Sequence, residues 1–144
     1  MSAKIASKTR VYRDMKKFLN EVIYIIKDFP KEQRYAVGDR IERTAIDSLH
    51  IIARVYMGRD LKVRIADIVE LQSNLELLNT LIEIAGEHQW IKGKSKLAGL
   101  LLLMDSIGRQ STAWKGSLIE ALKRSESERS QSYGGKSKLG ELSS

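Results

Sequence analysis

The chain has 144 residues, a single proline and no cysteine, and 42% of its residues are hydrophobic. This length suits one folded domain, and the lack of cysteine excludes disulfides, thiolate nucleophiles and zinc–thiolate sites. The formal net charge of +7 favours an anionic partner, because each lysine or arginine that neutralises a phosphate releases a condensed counterion.

The first half of the chain is expected to form two long helices. Apolar residues spaced three and four apart predict the first helix over about residues 8–29. Pro30 ends it, because the proline ring disfavours helical geometry in the preceding residue and removes a backbone donor. The second helix is predicted over about residues 31–57, with Gly58 as a left-handed cap.

The second half of the chain repeats this pattern. Asp60 is suited to cap a third helix that continues to about residue 87, and Ser95 is suited to cap a fourth that ends near residue 122. Connectors this short require neighbouring helices to be antiparallel. Residues 1–124 are therefore predicted to form an all-α, up-down-up-down antiparallel four-helix bundle.

The end of the chain differs in composition from the rest. Residues 125–144 are rich in serine and glycine and poor in apolar side chains, so a flexible, disordered tail is expected there. No window approaches the roughly 18 apolar residues of a membrane span, and the first residues lack the apolar stretch of a signal peptide. We expect a cytoplasmic protein that does not associate with membranes.

Two of the predicted helices carry a basic outer face. Arginine makes paired hydrogen bonds to phosphate oxygens, so these faces are predicted to bind nucleic acid. The alternative is an ordinary solvated face, in which Asp47 forms weak surface ion pairs with Arg43 and His50. The candidate nucleic-acid-binding residues are Arg10, Arg13 and Lys17 on the first helix and Arg40, Arg43 and Arg54 on the second.

The third and fourth helices have more apolar residues than one buried seam requires. Large exposed apolar patches are unusual on monomers, so the excess predicts a homo-oligomer. The alternative is that these side chains are simply buried within one bundle. The candidate interface residues are Leu77, Leu81, Ile84, Leu102 and Leu103.

The sequence holds no convincing catalytic or metal-binding motif. A di-metal bundle needs carboxylates on all four helices and paired Glu-x-x-His words, whereas the nearest spacing here is Asp47-x-x-His50. Gly86 and the Gly93-Lys94-Ser95 motif do not form a phosphate loop, because the two glycines have the wrong spacing and no strand precedes them. We therefore expect no catalytic residue, no metal, no cofactor and no enzymatic activity.

Two sequence motifs together resemble those of a known protein family. Residues 29–35 read Phe-Pro-Lys-Glu-Gln-Arg-Tyr and are followed by Gly-Asp-Arg-Ile-Glu-Arg-Thr-Ala at 38–45; Ile-Gly-Arg at 107–109 precedes Trp114. Together they resemble the Avd accessory proteins of diversity-generating retroelements and their wider relatives, the four-helix proteins encoded in ribosomal-RNA intervening sequences. The similarity spans about residues 8–124.

This resemblance implies a homopentameric barrel of bundles with a basic surface. It also implies binding to a dedicated reverse transcriptase and its template RNA or cDNA, in support of mutagenic reverse transcription that the partner catalyses. Members of the family often carry two arginines on the third helix, where this chain has Asn79 and Glu83. The alternative is an oligomeric scaffold of the intervening-sequence type that binds a protein instead of nucleic acid.

Overall fold

A computed structural model describes the backbone of residues 9–143 and the side chains of residues 9–132. Every regular element in this range is helical, so the all-α fold class is confirmed. The second helix opens with an α-turn over Lys31–Gln33 and a π-helical turn over Arg34–Gly38. The main helices are α1 (Arg10–Ile26), α2 (Asp39–Met57), α3 (Leu61–Glu87) and α4 (Lys94–Ser143).

The four helices pack side by side, each against the next in the chain, and α4 also packs against α1. Contacts along each pair of helices run in opposite directions, which makes the bundle antiparallel. The pairs that define this are Arg54 with Asp67 and Asp47 with Asn74 (α2–α3), Lys115 with Gln72 and Leu97 with Gly86 (α3–α4), and Lys96 with Tyr24 and Gln110 with Asp14 (α4–α1).

The core is built from the apolar seams of all four helices, as the spacing predicts. Burial of these side chains supplies the main stabilising free energy, at roughly 25 cal/mol per Å² of apolar surface removed from water. None of the described helices is long and apolar enough to cross a bilayer. The largest fully buried side chains include Met15 and Phe18 from α1, Ile41, Ile51 and Ile52 from α2, Ile68, Leu71, Leu78 and Ile82 from α3, and Leu100 and Ile107 from α4.

The connection between α2 and α3 confirms one predicted cap and corrects another. Asp60 caps α3, accepting hydrogen bonds from the backbone N–H groups of Lys62 at 2.9 Å and Val63 at 3.3 Å. Gly58 is extended, with φ −72° and ψ 152°, so the prediction of a left-handed conformation was wrong. A Cβ at Gly58 would lie 3.1 Å from Cγ of Arg64. Glycine therefore leaves room for Arg64.

The connection between α3 and α4 contains a second correction. Ser95 was predicted to cap α4, but the helix begins at Lys94 and takes Ser95 into its first turn. The end of α3 is closed by Gln89, whose φ is 60°. The N–H of Gln89 bonds to Gly86 O at 3.0 Å and that of Trp90 to Ala85 O at 2.9 Å. This pair of bonds is the Schellman arrangement, which usually has glycine where Gln89 stands.

The helix α4 continues past residue 122, where its apolar pattern ends, to Ser143. Every side chain over 126–132 is exposed. The flexibility of residues 125–144 stays a prediction, and residues 1–8 of the predicted bundle lie outside the described residues.

Candidate nucleic-acid interface

The outer face of α1 follows from the burial of its inner face. Val11, Met15, Phe18 and Val22 are buried at spacings of four, three and four residues. Side chains on the opposite side of the helix point away from the core, because a helix turns by about 100° per residue. The resulting outward line contains Arg10, Arg13, Lys17, Asn20 and Tyr24, all of them exposed.

Next to this line, α1 and α4 enclose a cleft of about 650 Å³, here named the α1–α4 groove. Ile25 and Leu100 form an apolar floor, and both are buried. A Cβ added at Gly99 would meet nothing within 4 Å, so this glycine widens the cleft on the α4 side. The polar rim is formed by Arg13, Lys16, Lys17, Asn20, Glu21 and Lys96.

Cations outnumber carboxylates at this rim. Arg13, Lys16, Lys17 and Lys96 stand against the single carboxylate of Glu21. None of the five described ion pairs includes Arg13, Lys16 or Lys17. Their donors are therefore available to phosphate oxygens without first leaving a carboxylate among the described side chains.

Arg10 lies on the same face but has partners. Its guanidinium is 3.6 Å from the carboxylate of Asp14 and donates to Ser106 Oγ on α4 at 3.3 Å. Asp14 also accepts a hydrogen bond of 2.8 Å from the amide of Gln110. These contacts join α1 to α4, and the carboxylate of Asp14 partly compensates the charge of Arg10.

The predicted residues of α2 are exposed, but two of them are paired. Arg43 lies 3.0 Å from the carboxylate of Asp39, one turn earlier. Arg54 reaches across to α3, where it binds Asp67 at 3.0 Å and Glu70 at 3.1 Å. Only Arg40 of this group makes no ion pair with a described side chain.

Arg54, Asp67 and Glu70 form a cluster of charges between α2 and α3, here named the α2–α3 cluster. Its electrostatic effect appears in the pKa of the Arg54 guanidinium. The hydrogen bond to Asp67 is the largest of several effects that raise the pKa of the Arg54 guanidinium, and Glu70 adds to it. Partial burial acts in the opposite direction. The carboxylates therefore stabilise the charged form of Arg54 and weaken its attraction for other anions.

The described residues offer no group of three or more His, Cys, Asp or Glu side chains placed to hold a metal. The α1–α4 groove presents ammonium and guanidinium groups and one exposed phenol ring. Such groups bind anions and the faces of flat rings.

Comparison with known families gives a match over most of the chain. The family described as bAvd-like matches residues 6–118 of the chain. The chain belongs to the bAvd-like family. The match confirms the resemblance to Avd accessory proteins that the two sequence motifs predicted. The chain has no match among the curated proteins.

At one site this bAvd-like chain departs from the arginine pattern that the resemblance implies. On α3, the amide of Asn79 donates to the carboxylate of Glu83 at 3.1 Å, one turn away. Asn79 lies in a second cleft between α3 and α4, together with Asp105 and Arg109, which pair with each other. This cleft is lined by the carboxylates of Glu76 and Asp105 and by one cation, Arg109, whereas cations dominate the rim of the α1–α4 groove.

The five candidate interface residues fall into two groups. Leu81 and Leu103 are half-buried against the core, and Leu77 and Ile84 are half-buried on α3. Leu102, by contrast, is 70% exposed on α4. Gly116 shares its helical face, and a Cβ there would meet nothing within 4 Å. A glycine on an exposed helical face costs stability relative to alanine.

Three residues of the groove were missed from the sequence: Lys16, Tyr24 and Lys96. Tyr24 lies in the apolar run at residues 22–26, which hid the fact that it faces outward. The spacing that links Arg10, Arg13 and Lys17 extends by seven residues to Tyr24, so this signal was present. Lys96 could not be assigned, because its position depends on how α4 packs against α1.

Proposed function

We propose that this chain is a non-enzymatic accessory protein of a diversity-generating retroelement. It binds the reverse transcriptase and its template RNA or cDNA through basic surfaces and so supports mutagenic reverse transcription. One observation carries the proposal: in a bAvd-like chain, unpaired cations of α1 line a groove against α4. The partner enzyme supplies the chemistry.

Within this proposal the six candidate residues have unequal roles. Arg13 and Lys17 make the main phosphate contacts, because they face the groove and carry no described ion pair. Arg10 and Arg40 extend this surface. Arg43 and Arg54 contribute less, because a phosphate must compete with the carboxylates that already hold them.

We also propose a homopentamer that works in the cytoplasm, where the template RNA and the polymerase meet. The α3 and α4 positions Leu77, Leu81, Ile84, Leu102 and Leu103 are the proposed contacts between copies. The exposure of Leu102 and the open space at Gly116 support this assignment.

A second function is an oligomeric scaffold of the intervening-sequence type that binds a protein partner. The observation that favours it is the neutralised charge on α2 and α3. Arg54 is held by two carboxylates, and Asn79 and Glu83 bond to each other, so these helices offer little free positive charge to a phosphate backbone.

The test is binding of the purified protein to a structured RNA over a salt series, with the oligomer mass measured in the same buffers. The accessory-factor proposal expects tight binding at low salt that weakens steeply as salt rises, because counterions are released at each phosphate contact. An intact oligomer that binds no RNA at low salt would contradict it and favour the scaffold.

A further inference from the structure

Tyr24 has an unusual environment for a large aromatic side chain. It is 60% exposed although it lies in the last turn of α1 between the buried residues Val22 and Ile25. The other described aromatic contacts join Phe29 with Trp90, Tyr56 with Trp114 and His88 with Trp90, and Tyr24 is in none of them. Its ring therefore adds little to the core and is free to serve another surface.

The neighbours of this ring are cations. The ammonium of Lys96 lies 5.0 Å from the ring centroid and that of Lys27 lies 5.7 Å from it. Both lysines are exposed, and a lysine carries its ammonium on a flexible four-carbon stem. A contact of this kind at an exposed site is weaker than the stacking of a nucleobase on an aromatic ring, so a base can displace a lysine from the ring face.

The rest of the groove continues from Tyr24 towards phosphate-binding groups. Lys17 lies seven residues before Tyr24, which is roughly 10 Å along the helix. Arg13 lies one turn further on the same face. A nucleotide whose base covers Tyr24 thus has its neighbouring phosphates within reach of these side chains, and the displaced Lys96 can bind the phosphate of the stacked nucleotide.

We propose that the α1–α4 groove is a subsite for an unpaired nucleotide in a single-stranded segment of RNA. The base stacks on Tyr24, the phosphates on either side bind Lys96 and Lys17, and Arg13 holds the next phosphate. The inference rests on the proposed function for its ligand, and it adds which part of the RNA is bound and by which residues.

Two other occupants fit the groove less well. A duplex keeps its bases stacked inside and presents phosphates and 2′-hydroxyls, so it gives Tyr24 nothing to stack on. A peptide helix would need a row of apolar pockets spaced along the groove. The apolar residues of the lining are Tyr24, Ile25 and Leu100, and Ile25 and Leu100 are already buried.

The experiment compares the unaltered protein with Tyr24→Ala, Tyr24→Phe and Tyr35→Ala. Tyr35 is a matched control, because it is 76% exposed but lies outside the groove. Two probes are used: an unstructured single-stranded RNA of about 12 nucleotides, and a hairpin duplex with the same number of phosphates. Affinity is measured by fluorescence anisotropy at low salt, with helicity and oligomer mass as checks of folding.

Tyr24→Ala should weaken single-strand binding by roughly 5- to 100-fold, which is the range for loss of one stacked base. Duplex binding should be unchanged. Tyr24→Phe should keep the full affinity, since it retains the ring, and Tyr35→Ala should do the same. A single-stranded probe that carries 5-iodouridine should crosslink to Tyr24 on irradiation, as a stacked base does.

Several results would overturn the inference. Equal loss for both probes would mean that Tyr24 only shapes a general charged surface. Unchanged RNA affinity in Tyr24→Ala, with weaker binding to the reverse transcriptase, would make the groove a protein-docking site. In both cases the RNA-binding function survives. If the unaltered protein binds neither probe, the inference and the RNA part of the proposed function fail together.

Discussion

The helices α1 and α2 each carry a line of basic side chains on the outer face, but the two lines have different neighbours. On α1, Arg13 and Lys17 face an open groove and make no ion pair with a described side chain. On α2, Arg43 is held by a carboxylate of its own helix, and Arg54 is held by two carboxylates of α3.

The difference shows that counting charges overstates what a surface can offer to a phosphate. An arginine that already donates to a carboxylate must give up that contact before it binds a new anion, and the carboxylate then repels the ligand. Exposed ion pairs are weak, worth about 0–1 kcal/mol, so the arginines of α2 keep some capacity to bind phosphate. Arg13 and Lys17 on α1 keep their full capacity to bind phosphate, whereas Arg10 is partly occupied by Asp14.

The comparison predicts a large difference between two double charge reversals. Arg13→Glu with Lys17→Glu should lower the affinity for RNA by roughly 100-fold at low salt and reduce the salt dependence by about two phosphate contacts. Arg40→Glu with Arg43→Glu should lower it by less, on the order of tenfold, because one of its two cations, Arg43, is already held by Asp39. Both variants remove the same number of cations, and a salt series of binding isotherms measures the effect.

Neither double variant alters a buried side chain, so both should keep the helical signal and the unfolding temperature of the parent. Equal loss of affinity in the two variants would refute the distinction between free and paired charge. A larger loss from the α2 variant would move the RNA site to the junction of α2 and α3.

Binding of RNA in the groove requires that assembly of the proposed oligomer leave the groove open. Variants on the exposed face of α4 test where the copies meet. If copies of the chain meet at this face, as proposed, Leu102→Glu should weaken their association, because a carboxylate replaces a side chain whose burial in an interface is worth about 1.5–3 kcal/mol. The isolated subunit should stay folded, since Leu102 is 70% exposed. Light scattering and circular dichroism measure the two effects.

Gly116→Ala is the companion variant on the same face. If the face is free, alanine should stabilise the helix by up to about 1 kcal/mol, and the mass should not change. If another copy packs closely there, the added methyl group should weaken assembly instead. An unchanged oligomer in both Leu102→Glu and Gly116→Ala would rule out this face as the interface.

The helices themselves were predictable from the sequence, and the reasons are local. The apolar spacing of α1 recurs in the buried set Val11, Met15, Phe18 and Val22. Asp60 caps α3 as expected, because an aspartate side chain reaches the first free N–H groups of a helix without help from the rest of the fold. These features depend on residues only a few positions apart.

The failures have a different origin. Gly58 was expected to be left-handed, yet it leaves room for Arg64, a side chain of the next helix. The pairing of Arg54 and the role of Lys96 in the groove depend on which helices become neighbours and in which register. Spacing within one helix cannot supply that information, so the candidate site was predicted on α1 but not on α4.

A smaller effect should follow from freeing the arginines of α2. Asp39→Asn with Glu70→Gln removes one carboxylate from Arg43 and one from Arg54, and leaves Asp67 to hold α2 against α3. The affinity for RNA should rise by roughly three- to tenfold, because two negative charges leave a surface that phosphates approach. The control is the same pair of carboxylate changes made in the Arg40→Glu, Arg43→Glu protein. There the rise in affinity should be smaller, because Arg43 is no longer present to be freed.

The smallest expected effect concerns the stability of the α2–α3 cluster. Arg54→Met keeps the apolar stem but removes the charge; the Arg54 side chain is 42% exposed, so after solvent screening the loss should be about 0.5–1 kcal/mol, or about 1–4 °C in Tm. Arg43→Met is the matched control and should lose less, since its pair lies within one helix.

The pH dependence of that loss follows from the sign of the pKa shift. The hydrogen bond to Asp67 raises the pKa of the Arg54 guanidinium above its ordinary value, and a raised pKa adds stability that is complete below the unfolded-state value and disappears only as the pH rises through the folded-state value. The Tm difference between the parent and Arg54→Met should therefore be constant across the neutral range and shrink in high salt. A difference that vanished on going from neutral to mildly alkaline pH would show that another group is responsible for the stability of the cluster.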